Sequence, residues 1–169
     1  MRIRNLKLVT ALLLAASMWC GCAETRKLVI ADPVGPTEAA KQASGTKGSL
    51  VVYSAWDGLD TLDSEHRKHT AYTVRSQQGV TVLHVRNRCG SFEGEPQVVD
   101  LPPGRYWIES DATNMGAVQI AAAIRKGETT VVYLDGTTRP AGPPTDETNW
   151  IRQPNGLIIG WKDQGLCGY

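Results

Sequence analysis

From Ser49 to Asp135 the chain is built of short runs rich in Val, Ile, Tyr and Thr, broken by Gly, Pro, Asn and Asp at strand-like spacing. These runs predict strands over 50–56, 71–76, 80–86, 97–101, 105–111, 117–125 and 129–135. Several alternate with period two. Tyr72 and Val74 stand against Thr73 and Arg75; Tyr106 and Ile108 against Arg105, Trp107 and Glu109; and Val118, Ile120, Ala122 and Ile124 against Gln119 and Arg125. Successive side chains leave a strand on opposite faces, so each first-named set is expected to face a core and the second to face away. Seven short strands with turn signals between them predict an all-β domain, a seven-stranded antiparallel β-sandwich.

The connections fit this reading. Gln77-Gln78-Gly79 and Lys126-Gly127-Glu128 read as tight hairpin turns. Pro102-Pro103-Gly104 puts Pro103 and Gly104 where a type II turn wants a fixed and then a positive φ. Asp57 to Thr70 is the only long link before the tail. From Gly136 the chain is punctuated by Pro140, Pro143, Pro144 and Pro154 before Gly156-Leu157-Ile158-Ile159-Gly160-Trp161. Residues 136–169 therefore read as an irregular C-terminal extension carrying one returning strand, with Trp150 and Trp161 covering its edge. Residues 22–48 hold one apolar cluster, Leu28-Val29-Ile30, among Pro, Thr, Ser and Gly. They read as a tether, since about 25 flexible residues span roughly 30 Å; Leu28 to Ile30 as a short edge strand is the alternative.

Ahead of that segment, a basic start with Arg2, Arg4 and Lys7 leads into the apolar run 8–16. This is the layout of a secretory signal, and the run is shorter than the roughly 20 apolar residues of a spanning helix. The junction Trp19-Cys20-Gly21-Cys22 resembles a bacterial lipoprotein signal, in which a small residue precedes a lipid-modified cysteine. Gly21 meets that need before Cys22, whereas Cys20 follows bulky Trp19; Trp19 itself departs from the aliphatic residue usual three places before the cysteine. The resemblance implies cleavage after residue 21, lipidation of Cys22 and membrane attachment through that lipid, with a cleaved signal or uncleaved anchor as the other readings. Ala23 is not the Asp that marks inner-membrane retention, so the periplasmic face of the outer membrane is the expected address.

Cleavage would leave 148 of the 169 residues, enough for one domain with a core. The full chain carries 18 Lys and Arg against 17 Asp and Glu; losing three basic residues and no acidic one gives a net charge of −2. That balance offers no basic field for nucleic acid, whose binding relies on cations that neutralise phosphates. With Cys20 removed and Cys22 lipidated, Cys89 and Cys167 remain in an oxidising space. A bridge between them would stabilise by about 4 kcal/mol in the loop-entropy model. Two buried free thiols are the alternative.

Two segments carry a family resemblance: Leu101-Pro102-Pro103-Gly104-Arg105-Tyr106, and Ile124 to Leu134 with its Lys126-Gly127-Glu128-Thr129-Thr130-Val131-Val132 centre. They resemble the turn and closing strand of a carboxypeptidase-regulatory-like domain, over roughly residues 48–135. The resemblance implies a transthyretin- or immunoglobulin-like sandwich over 49–135 and a non-catalytic docking or binding module. That family accompanies larger proteins as an appendage, and this chain carries no catalytic domain beside the module.

Candidate chemistry is sparse. His66, His69 and His84 form no HExxH, and His66-Arg67-Lys68-His69 reads as a solvated polar stretch of the long link. Gly90-Ser91-Phe92-Glu93-Gly94 is not a nucleophile elbow, and Gly45 to Ser49 lacks the spacing of a phosphate loop. The acidic loop 57–65 offers carboxylates for Ca²⁺, but its spacing fits no EF-hand and Arg67 and Lys68 follow it. No catalytic residue, metal or cofactor is expected. Trp107 falls on the outward face, where an exposed indole stacks on a sugar or marks a protein interface, unless the tail buries it. The expected partner is another envelope protein, with a carbohydrate or cell-wall polymer bound on the Trp107 face as the alternative.

Overall fold

A computed structural model describes residues 27–37, 45–57, 68–87, 95–140 and 146–163. The chain is all-β, and these residues hold ten strands: β1 (Leu28–Val34), β2 (Gly48–Tyr53), β3 (Tyr72–Ser76), β4 (Thr81–Val85), β5 (Val99–Leu101), β6 (Gly104–Ala112), β7 (Gly116–Ile124), β8 (Thr129–Tyr133), β9 (Trp150–Arg152) and β10 (Ile158–Trp161). A 3-10 turn over Glu147–Asn149 precedes β9, capped by the Asp146 side chain, which accepts from the Thr148 amide.

The alternating residues do what their spacing demands. Tyr72, Val74, Ile108, Val118, Ile120, Ala122 and Ile124 are buried in one core with Leu50, Val52, Val132 and Leu134. They belong to two sheets whose inner faces share that core: a five-stranded sheet ordered β1-β7-β6-β3-β4 and a three-stranded sheet ordered β5-β2-β8. The β9–β10 hairpin adds Ile151 and Ile159 to the same cluster. Fully burying each such aliphatic side chain stabilises by about 1.5–3 kcal/mol, so the period-two pattern is the main source of the fold's stability.

Pairing departs from the expectation in strand number and direction. Ten strands replace seven, and the sheets are mixed: β1 runs parallel to β7, and β2 runs parallel to β8 with Leu50 opposite Thr130 and Val52 opposite Val132. Lys126-Gly127-Glu128 is a tight turn, with Gly127 at φ 72°, yet it closes no hairpin. It carries the chain from β7 in one sheet to β8 in the other. Alternation tells which side of a strand is apolar, and an arch between layers satisfies it as well as a hairpin does. Gly104 is likewise not the positive-φ corner of a type II turn. It begins β6 opposite Ile124, and the Tyr106 hydroxyl closes the bend by donating to the Pro102 carbonyl at 2.9 Å.

Residues 28–34, placed in a tether with an edge strand as the alternative, are a full strand at the edge of the larger sheet. Beyond Gly35 the same segment crosses to the other layer: Pro36 bridges Thr130, and the Thr37 amide donates to Thr129 O at 3.0 Å. The tail closes this crossing. Val34 bridges Lys162, the Gly35 amide donates to Trp161 O at 2.8 Å, and the Asp163 amide donates to Pro33 O at 2.8 Å. The tail thus returns as a hairpin, β9 and β10, where one strand was expected. Cys22, Cys89, Cys167, residues 1–21 and the stretch 58–65 of the acidic loop lie outside the described residues.

Candidate functional site

The exits of β2, β4 and β8 and the entry to β3 converge at one end of the domain. Their parallel course makes β2 and β8 deliver Tyr53 and Tyr133 side by side, stacked at 5.4 Å between centroids and 9° between planes. Just beyond, residues 54–57 and 68–70 form a short antiparallel ladder: Trp56 bridges His69, the Asp57 amide donates to Lys68 O and the Thr70 amide to Ala55 O, both at 2.8 Å. The ladder slides the His69 ring under Trp56, 4.1 Å between centroids and 21° from parallel, with Tyr53 edge-on at 5.8 Å.

Three polar knots fix this end. Asp135 is 0% exposed, yet its carboxylate accepts from the Thr137 and Thr138 hydroxyls at 2.8 and 2.6 Å and from both of their amides. Four donors from the residues two and three places on satisfy a buried carboxylate that would otherwise be costly. Trp56 Nε1 donates to Thr137 Oγ1 at 3.3 Å, tying the indole to that knot. Asn87, also 0% exposed, donates to Val52 O at 2.9 Å and to Ser54 Oγ at 2.8 Å, and accepts from the Gln97 amide at 3.0 Å. Third, Ser54 Oγ donates to Thr70 O at 2.6 Å. Burial first, then the Glu95 and Asp135 carboxylates, push the Tyr53 phenol above its ordinary value, so it remains a neutral donor.

Two open cavities flank the aromatic stack. One, of about 400 Å³, lies between the 136–140 stretch and the C-terminal hairpin and is lined by Tyr133, Arg139, Arg152 and Leu157 among others. The other, of about 420 Å³, is lined by Asp57, His69, Thr70, Ala71 and Arg86. Among the described residues there is no group of three or more metal-ligating side chains, and no helix long and apolar enough to cross a membrane.

Of the residues singled out from sequence, His69 and Asp57 lie at this end, while Trp107, Trp150 and Trp161 lie apart from it. Trp107 sits on the outer face of the larger sheet, opposite Arg75 and Ala121, and is half-buried. Beside it Glu109 forms ion pairs with Lys27 Nζ at 3.0 Å and Arg75 Nε at 2.9 Å. Burial pulls the Glu109 carboxyl upward, but the hydrogen bonds and charges of Arg75 and Lys27 outweigh it and hold the group below its ordinary value. Trp150 and Trp161, expected to cover the returning strand, meet each other at 6.4 Å, and Arg152 lies over Trp150 at 4.6 Å. His84 is exposed, its Nδ1 3.2 Å from Thr73 Oγ1. Of the acidic loop 57–65, only Asp57 is described.

His69 is a correction. Expected on a solvated stretch, it is 2% exposed. The charged neighbours Arg67 and Lys68 dominate the local composition, and only the pairing with 54–57 shows that the ring points inward.

No family model matches this chain, and no solved structure does. A CRISPR-associated DNA-binding protein, Cas12m of Mycolicibacterium mucogenicum, is 28% identical over 138 residues. That alignment takes in 78% of this chain and 20% of the other, so the chain spans about a fifth of the curated protein it matches.

Proposed function

We propose that the chain is a non-enzymatic, lipid-anchored envelope protein. In this reading its domain is a transthyretin- or immunoglobulin-like sandwich that offers the β2/β8 end as a binding surface to another envelope protein or a cell-wall polymer. The observation that carries the binding role is the convergence of Tyr53, Trp56, His69 and Tyr133 with two open cavities on a scaffold fixed by Asp135 and Asn87. Tyr133 lines one cavity and His69 the other, and openings with one ring and a few fixed polar groups at the loop end of a rigid sandwich suit recognition. The half-burial of Trp107 shifts weight from the outer sheet face to this end.

The anchor reading rests on Cys22, and the fold gives it a geometry. Leu28 pairs with Val118, close to the Gly116 start of β7 and therefore at the same end as Thr113, which donates from its amide to Leu134 O and from its hydroxyl to Asp135 O. Only residues 23–27 separate Cys22 from β1, at most about 20 Å of extended chain. A lipid on Cys22 therefore holds the aromatic end near the membrane face. The relative's DNA-binding role does not carry over, because the match covers a fifth of that protein and the processed chain is weakly acidic.

Metabolic palmitate labelling of the full chain tests the anchor: label on the wild type and none on Cys22→Ser is the expected result, and label that persists on the variant overturns it. A photo-crosslinking residue at Arg139 tests the binding surface in cells. Adducts are expected there and not from the same probe at Gly79, at the far end; equal yield from both positions removes the assignment.

A further inference from the structure

We infer that the cavity beside His69 binds a small hydroxylated carboxylate of the sugar-acid class. This rests on reading the β2/β8 end as a binding surface and names its ligand. The cavity carries two adjacent orphans. His69 Nε2 and Thr70 Oγ1 are both buried without a hydrogen-bond partner, and both residues line it. Buried polar atoms are paired in about nine cases of ten, so unpartnered atoms on two consecutive residues that both line one cavity are what a polar ligand there would satisfy.

The chemistry of that ligand follows from each group. His69 Nδ1 lies 2.7 Å from the Ser54 carbonyl, which only accepts; Nδ1 therefore carries the hydrogen, and in that tautomer Nε2 presents a lone pair. The Trp56 stack and the Tyr53 edge fix the ring plane, so the lone pair keeps one direction. It calls for a donor such as a hydroxyl. Thr70 Oγ1 either donates or accepts, and suits a second hydroxyl. Arg86 is exposed, makes no ion pair among the described residues and puts a guanidinium on the same wall, where a carboxylate binds in two-point fashion. Asp57 adds an acceptor for a further hydroxyl, and its charge disfavours a dianion such as a phosphate monoester. The same guanidinium disfavours a metal cation. Hydroxyls at His69, Thr70 and Asp57 with one carboxylate at Arg86 describe a uronic or muramic acid, and about 420 Å³ lies within the range of small-molecule sites, roughly 300–1,000 Å³.

The test is nitrogen-detected NMR of the histidine rings in the folded chain, titrated with glucuronate and N-acetylmuramate, with glucose, acetate and inorganic phosphate as comparisons. Either sugar acid is expected to shift His69 Nε2 saturably toward its hydrogen-bonded value, leaving exposed His84 unmoved, while glucose and acetate act far more weakly. Arg86→Gln, an exposed substitution that spares the Trp56–His69 stack, is expected to weaken the sugar acid about tenfold, the scale of one charge-assisted contact. Silence from both sugar acids, equal binding of glucose, a response to phosphate alone, or an Arg86→Gln variant of unchanged affinity each overturns the inference. If His69 is silent while crosslinks still form at Arg139, the ligand class fails and the binding surface stands; if both are silent, both fail.

Discussion

Asn87 ties Val52, Ser54 and Gln97 together at the β2/β8 end, and its removal has a calculable cost. The side chain makes three hydrogen bonds in a fully buried position, to Val52 O, Ser54 Oγ and the Gln97 amide, and its backbone lies in the left-handed region at φ 54°. Each buried hydrogen bond is worth about 1 kcal/mol net, so truncation to alanine forfeits about 3 kcal/mol. A Cβ-bearing residue other than Asn or Asp pays about 1 kcal/mol more at that φ. Asn87→Ala should therefore cost about 4 kcal/mol. Asn87→Gly, which loses the same bonds but tolerates the backbone, should cost about 3 kcal/mol.

Urea unfolding followed by tryptophan fluorescence measures both. With a slope of about 2 kcal/mol per molar urea, the alanine midpoint falls by about 2 M and the glycine midpoint by about 1.5 M. Two results refute the reasoning: an alanine variant within 1 kcal/mol of the wild type, or a glycine variant less stable than the alanine one. The first would mean that the three bonds are replaced by water at no cost, and the second that φ at this position carries no penalty. Since Arg86 is the preceding residue, either variant should also weaken any ligand held at the His69 cavity, even where the domain remains folded.

Other changes separate the remaining contributions. Glu109, held low by Lys27 and Arg75, contributes stability that is present above the ordinary glutamate range and is lost as pH falls through its lowered folded value. Glu109→Gln should therefore flatten the midpoint's pH dependence below about pH 4.5, while costing at most about 1 kcal/mol at neutral pH because both cations are more than a third exposed; an unchanged acid limb refutes the pairing. Gly48 abuts the neighbouring layer so closely that a Cβ would overlap the Arg125 carbonyl oxygen, so Gly48→Ala should lower the urea midpoint by the equivalent of about 1–3 kcal/mol, and a neutral effect refutes that approach. Peptide mapping without reductant should recover Cys89 joined to Cys167, with reduction destabilising by about 4 kcal/mol; alkylation of both thiols in the untreated protein would refute the bridge.

What the sequence made legible was sidedness. Residues such as Val74, Ile108, Ile120 and Ala122 take the face their period-two spacing assigns, because burial rewards a strand one side at a time and leaves a local trace. Neighbours leave no such trace. Strand β1 was obscured because Asp32 and Pro33 interrupt it and only its last residue, Val34, is buried, so its membership depends on β7 on one flank and the Lys162 bridge on the other. The β7–β8 arch reads like a hairpin until the parallel partner β2, some 80 positions earlier, takes up the ladder that β7 would have filled. The candidate site was hidden for the same reason, more sharply. His69 becomes a buried, oriented ring only because residues 54–57 pair back across the long link and set Trp56 on it. Thr70 and Arg86 then join it through the β3–β4 pairing that puts Tyr72 opposite Val85. A cavity wall assembled from Asp57, the consecutive pair His69 and Thr70, and Arg86 has no motif, since its three pieces lie far apart in the sequence; its signature is a buried, unpartnered polar atom on each of two consecutive residues, which exists only once the chain is folded.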